Sequence, residues 1–401
     1  TDLTPNGNHG TINGATWSDD VPQLPHTGPE WFVSEGGSDE NNGSSDYPFA
    51  TIQHAINSAN NDDSVFVGPG TYLENINLSG RSVGLISTDG PESTIIDGNQ
   101  NGRVVTYDNP NNPDLYSRID GFTIRNGSWN GDGAGLYVYY SQLDMQNLIV
   151  EDNHSSANAG GLLIQNSGSL IQNVIFRNNY SAVYGGAIYC LAATPQIINC
   201  VIDSNEAGAG GGLSVHDESD IFISETRIIN NTSQWGGAGI MFTNCSGTVE
   251  HCLIAGNVAL GGDGGGVKTQ LQSTTVFNYC TFSSNISSAT LGGGLSSYAA
   301  TTVATNSIFW NNHPDQDQVA NSDDNSGFGS TSVSYSDVQG GYPGEGNFDE
   351  DPQFCNPAVG NFDLSESSPC LGVGESGANM GALDVGCAEP YSNYSLSFAG
   401  D

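Results

Sequence analysis

The stretch that decides the fold runs from Asn205 to Asn231 and reads NEAGAGGGLSVHDESDIFISETRIINN. It joins a glycine cluster to apolar segments whose residues alternate with polar ones at a period of two. That period is typical of strands and not of helices. A glycine loop that binds phosphate leads into a helix and a lysine, and neither follows here. We therefore interpret the glycines as a corner between strands.

The same pattern recurs along the chain. A short apolar segment ends in asparagine, a turn and a glycine pair follow, and another apolar segment comes next. The asparagines are spaced by 26 to 28 residues, and they are Asn126, Asn153, Asn179, Asn205, Asn231, Asn257, Asn285 and Asn312. Three short strands in about 26 residues predict a right-handed parallel β-helix, an all-β solenoid of about ten or eleven coils. The asparagines are expected to form a hydrogen-bonded ladder at one corner.

The strand after each glycine corner predicts an outward-facing surface. The second residue after the glycines should point outward, and so should the residue two positions later. The first outward column reads Tyr137, Leu163, Ile188, Ser214, Met241, Lys268 and Ser296, and the second reads Tyr139, Gln165, Cys190, His216, Thr243, Gln270 and Tyr298.

Both ends of the solenoid are expected to be capped, because an open end exposes apolar core and strand edges. At the N-terminal end an amphipathic helix is predicted, with Phe49, Ile52, Ile56 and Ala59 on one face. The capped β-helix is predicted over 31–312. Residues 313–390 lose the repeat and predict an irregular, cysteine-bearing C-terminal cap.

A resemblance to a known superfamily supports this organisation. The segments WFVSEGGSDENNG, PFATIQHAINSA, VFVGPGTYLENINL and STIIDG, followed by the coils, resemble secreted right-handed parallel β-helix proteins of the pectate-lyase-like superfamily. The resemblance covers roughly residues 31–312 and implies the fold. It does not decide an activity, because the superfamily includes lyases, hydrolases, epimerases, tailspikes and non-catalytic surface proteins.

The two ends resemble a different fold. Residues 1–30 contain NGNHGTINGATWSDDVP, which resembles the last strand of a laminin-G/concanavalin-like jelly roll, and NYSLSFAGD within 391–401 resembles the first strand. One interpretation is a β-helix excised from a longer protein with jelly rolls on both sides, and we favour it. The other is pairing of the terminal strands between successive copies. The absence of an initiator Met also predicts a processed or excised chain.

The charge of the chain excludes some classes of partner. It has 44 acidic and 7 basic residues, a net charge of −37, and 36% hydrophobic residues. Nucleic-acid binding requires clusters of Lys and Arg, so neither nucleic acids nor anionic membranes are expected partners. No apolar run reaches membrane-spanning length, and no membrane insertion is expected. We expect a secreted or cell-surface protein with a thin, elongated core.

The eight cysteines predict disulfides and an oxidising compartment. Cys190 with Cys200, and Cys245 with Cys252, could each close a short loop. Cys355 and Cys370 are expected to staple the C-terminal cap, which leaves Cys280 and Cys387. Connectivity cannot be deduced from spacing alone.

Catalytic candidates are few. A uronate lyase needs a base and a cation that neutralises the carboxylate. Lys268, the only lysine, and His216 are the nearest candidates, but they lie two coils apart, roughly 10 Å by the strand spacing. A hydrolase needs carboxylates on neighbouring coils, whereas Asp217 clusters with acidic residues of its own turn. An ordinary solvated face is the alternative.

Two kinds of binding residue are also predicted. Acidic loops rich in oxygen ligands favour Ca²⁺, and the candidates are Asp315, Asp317, Asp323, Asp324, Asp349 and Asp351. None of the loops matches a full EF-hand, and solvated acidic loops are the alternative. Aromatic residues near the glycine corners could stack on sugar rings or plug the corners, and they are Trp129, Tyr184, Trp235, Tyr137 and Tyr139.

These observations predict a non-catalytic extracellular β-helix module. It would act as a rigid surface, adhesive or filament-forming unit that contacts glycans, or other copies of itself through the terminal strands. The alternative is a polysaccharide lyase or glycoside hydrolase that acts in a groove on one face of the β-helix.

Overall fold

The chain forms a parallel β-helix, which confirms the predicted solenoid. The structure is a computed structural model and describes residues 25–289, 291–314, 318–322 and 330–388. In these residues three long parallel sheets of 12, 11 and 10 strands run along the solenoid, together with a short sheet of 7 strands. Each coil visits the first sheet, the second sheet, the short sheet and the third sheet in turn.

The first two sheets follow each other directly in every coil. The first sheet comprises Glu30–Val33, Asp63–Val67, Val83–Ser87, Tyr116–Asp120, Gln142–Gln146, Leu170–Gln172, Gln196–Ile198, Asp220–Ser224, Ser246–Glu250, Thr274–Asn278, Thr301–Thr305 and Ser330–Ser334. The second sheet comprises Gly70–Tyr72, Thr94–Asp97, Thr123–Arg125, Ile149–Glu151, Ile175–Arg177, Val201–Asp203, Arg227–Ile229, Leu253–Ala255, Thr281–Ser283, Ile308–Trp310 and Asp337–Val338.

The remaining strands complete each coil. The short sheet comprises Ser128–Trp129, His154–Ser155, Tyr180–Ser181, Glu206–Ala207, Thr232–Ser233, Val258–Ala259 and Ile286–Ser287. The third sheet comprises Ile76–Asn77, Val105–Asp108, Leu136–Tyr139, Leu162–Gln165, Ile188–Leu191, Leu213–His216, Ile240–Thr243, Val267–Gln270, Leu295–Tyr298 and Val319–Ser322. Strand pairing therefore continues past residue 312, where the asparagine repeat ends.

An asparagine ladder stabilises the corner after the second sheet. The Asn231 amide nitrogen donates to Ile202 O at 2.9 Å and to Asn257 Oδ1 at 3.0 Å, and its own Oδ1 accepts from the backbone and side chain of Asn205, both at 3.0 Å. The rungs are Asn153, Asn179, Asn205, Asn231, Asn257, Asn285 and Asn312. Each buried amide thus satisfies backbone groups that the corner leaves unpaired.

Asn126 was predicted to be a rung, and that prediction is wrong. Thr123–Arg125 pairs with Ile149–Glu151, so Gly127 takes the rung position and donates its N–H to Asn153 Oδ1 at 2.8 Å. Asn126 lies one residue earlier, with a left-handed φ of 56°, and its amide donates to Asp97 Oδ2. Asparagine tolerates that conformation, which explains the residue without any role in the ladder.

The glycine corners allow the close approach of successive coils. A Cβ on Gly211 would lie 2.3 Å from Thr232 O in the next coil, so no other residue fits there without a shift. The preceding Gly210 has φ +62°, in the left-handed region that favours glycine. The structural interpretation of the glycines is thereby confirmed.

The N-terminal helix Ile52–Ser58 packs its apolar face on the solenoid end. Ile52, Ala55 and Ile56 are buried, as the amphipathic pattern predicts. The Glu74 carboxylate accepts the N–H groups of Ile52 and Gln53 at 2.8 and 2.9 Å. A carboxylate at this end satisfies the unpaired donors of the first turn. This is the only α-helix in the described residues, and it is too short to cross a membrane.

The C-terminal residues fold back along the side of the solenoid. We call 348–388 the strap; it contains the strands Phe354–Asn356, Asn361–Ser365 and Val385–Cys387 and the 3₁₀ turns Pro357–Val359 and Glu375–Gly377. Its apolar side chains pack on the outer face of the second sheet, and the buried members of this cluster are Leu253, Ala255, Ile308, Phe354, Phe362, Leu364, Cys370 and Met380.

The disulfide in the structure joins Cys355 to Cys387 across the strap, with Cα atoms 5.9 Å apart. The predicted pair Cys355–Cys370 is therefore wrong, because the Cys370 thiol is buried and directed at the Asp337 carboxylate. Phe354–Asn356 and Val385–Cys387 pair with Asn361–Ser365 on its two sides, which brings the two cysteines close together.

The predicted pairs Cys190–Cys200 and Cys245–Cys252 are also wrong, because all four side chains are buried free thiols. Cys190 occupies a core position of the third sheet, in register with Ile164. Cys200 and Cys252 lie instead at the corner before the second sheet, where each sulfur contacts backbone carbonyl oxygens. Their burial raises the pKa of Cys200 to about 11 and that of Cys252 to about 12, so these thiols stay protonated.

Candidate functional site

Aromatic side chains gather on the outer face of the third sheet and on the corner before it. We call the residues Trp129, Tyr137, Tyr139, Tyr184, Tyr189 and Trp235 the aromatic track. The sequence pattern predicted all of them except Tyr189. They belong to three alternate coils. Tyr137 and Tyr189 are in register through Leu163 of the coil between them. Trp235 lies two coils beyond Tyr184. Leu163 packs between the two tyrosines and joins them into one apolar surface.

The first part of the track is built around Arg103. Its guanidinium carbon lies 3.7 Å from the ring centre of Tyr137 and 5.1 Å from that of Trp129. Its Nε donates to Asp132 O at 3.0 Å, and Tyr139 follows with its ring centre 5.9 Å from that of Tyr137. Burial lowers the pKa of Arg103, while Tyr137 and nearby carboxylates oppose this effect. Cation–π contacts of this kind hold ring planes in place.

The second part of the track is a stack of three rings. Tyr184 lies nearly parallel to Tyr189, with 5.9 Å between ring centres and 14° between planes. The His216 ring lies 4.5 Å from Tyr184 and 5.3 Å from Tyr189. Trp235 lies at a later corner and is 54% exposed. Its ring lies so close to Gly208 that a Cβ on that residue would clash with it. Tyr184 and Tyr189 are therefore held in place by ring contacts within the protein.

His216 packs against these two tyrosine rings and is not free to act as a base. Its Nε2 lies 2.9 Å from Ser214 Oγ, and both residues are buried. Burial lowers the pKa of His216 to about 4, although the Asp217 charge acts in the opposite direction. The imidazole is thus neutral at pH 7, and Ser214 has no accessible surface from which to attack a substrate.

The structure does not bring the three catalytic candidates together. His216 is in register with Thr243 and then Gln270, whereas Lys268 lies in the other column, two coils away. Lys268 Nζ is 4.0 Å from Asp263 Oδ2, so its charge is already paired. Asp217 has a left-handed φ of 38° and accepts from the Asn244 amide at 3.4 Å, as a turn residue does.

Tyr189 was missed because one glycine corner differs from the others. The sequence GGAIY carries an alanine between the glycines and the strand, so the outward column was displaced by one residue. The register places Tyr189 and Leu191 outward, where Ile188 and Cys190 were predicted. The regular interval of 26 residues from Leu163 leads to Tyr189 and could have found it.

The calcium prediction is only partly within the described residues. Asp315, Asp317, Asp323 and Asp324 lie outside them. Asp349 and Asp351 are described, and both raise the pKa of the buried Asp337. In the described ranges no group of three or more His, Cys, Asp or Glu side chains could hold a metal ion. Calcium binding therefore stays a prediction.

Comparisons with known proteins agree with the repeat architecture. Residues 173–191 match the model of the Chlamydia polymorphic membrane protein (Chlamydia_PMP) repeat. This segment spans one asparagine corner and one glycine corner. The uncharacterized protein YwoF of Bacillus subtilis (strain 168) is 25% identical over 139 residues, which cover 32% of this chain. The match covers only 29% of the length of YwoF.

Solved structures with a similar fold are carbohydrate-acting enzymes by their names. Pectate lyase Pel9A matches with a TM-score of 0.45 and 14% identity, over 90% of this chain and 98% of its own. A rhamnogalacturonan lyase matches with a TM-score of 0.41 and 15% identity, over 85% and 96%. Pectin methylesterase PemA from Erwinia chrysanthemi matches with a TM-score of 0.34 and 12% identity, over 55% and 79%. At these identities the similarity is one of fold alone.

Proposed function

We propose that this protein is an extracellular β-helix module that binds glycans along the aromatic track without cleaving them. The observation that carries the proposal is the track itself: six aromatic side chains on three alternate coils, of which Trp129 and Trp235 are 41% and 54% exposed and Tyr189 is buried beneath its neighbours. Contiguous apolar patches on a protein surface often mark a site that binds a ligand. The C–H faces of sugar rings are the complementary surface.

Preorganisation strengthens this assignment. Arg103 holds Trp129 and Tyr137, and the Tyr184–Tyr189–His216 stack holds the next rings. A ligand therefore pays little side-chain entropy, which otherwise costs about 0.5–1.5 kcal/mol per immobilised side chain. The parallel coils also keep Tyr137 and Tyr189 in one column, because each of their strands pairs with a neighbour on both sides.

The geometry favours binding over turnover. A general base needs a pKa near the working pH, and burial has moved that of His216 to about 4. The cation that a lyase would use, Lys268, is two coils away and faces Asp263. A rigid, non-catalytic surface or adhesive unit is the function that these contacts support. Assembly through the terminal strands remains a separate proposal, since those strands lie outside the described residues.

Glycan binding can be tested directly. The protein is run in native gels that contain soluble polysaccharides, and retardation is compared with that of the double variant Trp129→Ala/Trp235→Ala. Both rings are exposed, so their loss is expected to leave the fold intact and to weaken retardation by roughly tenfold or more. The matched control is Tyr279→Ala, an aromatic that stacks on His251 away from the third sheet.

The same samples decide between binding and catalysis. Ultraviolet absorbance of unsaturated products and reducing-end assays are read after prolonged incubation, with and without Ca²⁺. We expect retardation without product. Product formation that disappears in Lys268→Ala or His216→Ala would show that the protein is a polysaccharide-cleaving enzyme instead.

A further inference from the structure

We propose that the glycan bound by the aromatic track is uncharged and is bound without a divalent cation. This inference rests on the proposed function and adds the chemical class of the ligand. It comes from two features of the track: the carboxylates beside its rings and the prior engagement of its cations.

Carboxylates flank both parts of the track. Asp108 and Asp132 are close enough to Tyr137 for their charges to raise the pKa of that phenol, although burial is the larger cause. Asp217 and Asp132 act in the same way on Tyr189, again after burial. A uronate or sulfate group on a sugar stacked here would meet like charge from at least two sides. This Coulomb repulsion is strongest at low ionic strength, because salt screens exposed charges.

The basic residues cannot offset these charges. Of the seven in the chain, Arg103 and Lys268 lie along the third sheet. Arg103 is stacked between Tyr137 and Trp129 with Nε bound to Asp132 O, and Lys268 faces Asp263. The other five bind partners elsewhere: Arg118 to Asp120, Arg125 to Asp97, Arg177 to Glu151, Arg81 to Ala59 O and Arg227 to Gly360 O. Each positive charge beside the track is thus already stacked on aromatic rings or paired with a carboxylate.

The fold places these flanking carboxylates at the track. Asp108 is in register with Tyr139 on the paired strand. Asp132 lies at the corner after Trp129, where its Oδ1 accepts from the Asn158 backbone N–H and Nδ2, both at 3.0 Å. Their positions are therefore set by strand pairing and by hydrogen bonds within the protein.

The ligand class follows from this chemistry. Hydroxyl groups carry no charge and can donate hydrogen bonds, so a neutral, hydroxyl-rich sugar suits a surface flanked by carboxylates. A uronate carboxylate only accepts hydrogen bonds, so it would add repulsion at this surface.

The test uses polymers that share a backbone and differ in charge. One pair is hydroxyethyl cellulose and carboxymethyl cellulose, and the other is polygalacturonate with and without methyl esterification. Retardation of the unmodified protein is measured in EDTA at low salt and again at high salt. We expect the neutral member to bind at least about tenfold more tightly at low salt. The ratio should fall at high salt, because exposed charges are screened.

Variants test whether the aromatic track causes the preference for neutral over anionic polymers. Asp217→Asn keeps a residue that tolerates the left-handed turn, and we expect it to strengthen binding of the anionic member by about two- to threefold. Asp384→Asn, exposed on the strap, is the control and should change nothing. The Trp129→Ala/Trp235→Ala variant should bind neither the neutral nor the anionic polymer of each pair.

The outcomes separate the two proposals. If the anionic members bind as tightly as the neutral ones in EDTA, and the tryptophan variant loses them, the track binds glycans but the charge inference is overturned. Binding of anionic polymers only after Ca²⁺ addition overturns it equally. If neither member of either pair, nor any other neutral polysaccharide, is retarded, the proposed function fails and the inference fails with it.

Discussion

The strap docks on the outer face of the second sheet, and replacing Asp337 by asparagine should change how the free energy of this docking depends on pH. Asp337 has no accessible surface, and it lies where the last coil meets the strap. Its Oδ2 accepts the Cys370 thiol at 3.4 Å and its Oδ1 accepts Glu350 N–H at 3.2 Å. Burial, opposed by these hydrogen bonds and reinforced by Asp349 and Asp351, raises its pKa from 3.8 to about 7.

The magnitude follows from proton linkage. Each pKa unit corresponds to about 1.4 kcal/mol, so an elevation from 3.8 to about 7 amounts to about 4 kcal/mol. The docked strap keeps the proton in a range where the open strap has lost it. Docking is therefore most stable below pH 4, weakens as the pH rises toward 7, and is constant above that value.

Asparagine is neutral at every pH, but its single side-chain oxygen can accept from only one of the two donors, the Cys370 thiol or the Glu350 N–H. We therefore expect Asp337→Asn to weaken docking by about 1 kcal/mol at pH 4, because one hydrogen bond is lost. Above pH 7.5 the same substitution should stabilise docking by about 3 kcal/mol, because no carboxylate must be buried in its charged form. The sign of the effect reverses between these two conditions.

Hydrogen exchange measures this reversal locally. A solenoid does not unfold as one unit, so protection factors of Phe354–Asn356 and Asn361–Ser365 are compared from pH 4 to pH 9. The exposed Asp384→Asn variant serves as the control. If the difference between Asp337→Asn and the unmodified protein is the same at every pH, the assigned burial of a titrating carboxyl is refuted.

Three further outcomes are expected. Asn231→Ala removes a buried side chain that makes four ladder hydrogen bonds. It should lower the local opening free energy, measured by hydrogen exchange in the neighbouring coils, by about 3–5 kcal/mol, whereas Asn126→Ala should lower it by less than about 1 kcal/mol. Equal costs would contradict the ladder register. Peptide mapping without reduction should recover Cys355 linked to Cys387, and reduction should lower strap protection by about 3–4 kcal/mol, as expected for a separation of 32 residues. Acidification from pH 6.5 to 4 should weaken protection of the third sheet, because the folded state holds His216 unprotonated with a pKa of about 4; an unchanged profile in His216→Gln would contradict this origin.

Several features were predictable from the residues because the same local pattern occurs in every coil. A two-residue alternation, an asparagine and a glycine pair specify one coil, and a parallel stack repeats that specification at nearly constant spacing. The solenoid, the ladder from Asn153 to Asn312 and the N-terminal helix follow from such patterns. Errors arose where one copy departs from the repeat. Gly127 occupies the rung position, so the asparagine one residue earlier was predicted to be the rung. Ala187 stands where other corners have glycine, which displaced the predicted outward column from Tyr189.

The contacts without a repeat were decided by the tertiary structure. Nothing local indicates that the strap turns back onto Leu253 and Ile308, that Cys355 finds Cys387, or that Asp337 becomes fully buried. These contacts join segments far apart in sequence, and each occurs once, so no periodic signal accumulates. The aromatic track lies between the two cases. The sequence by itself placed two of its rings on the outward strand face and three near the glycine corners. Only side-chain packing decided that Arg103 and His216 contact those rings, because stacking depends on distances and angles between coils and not on residue spacing.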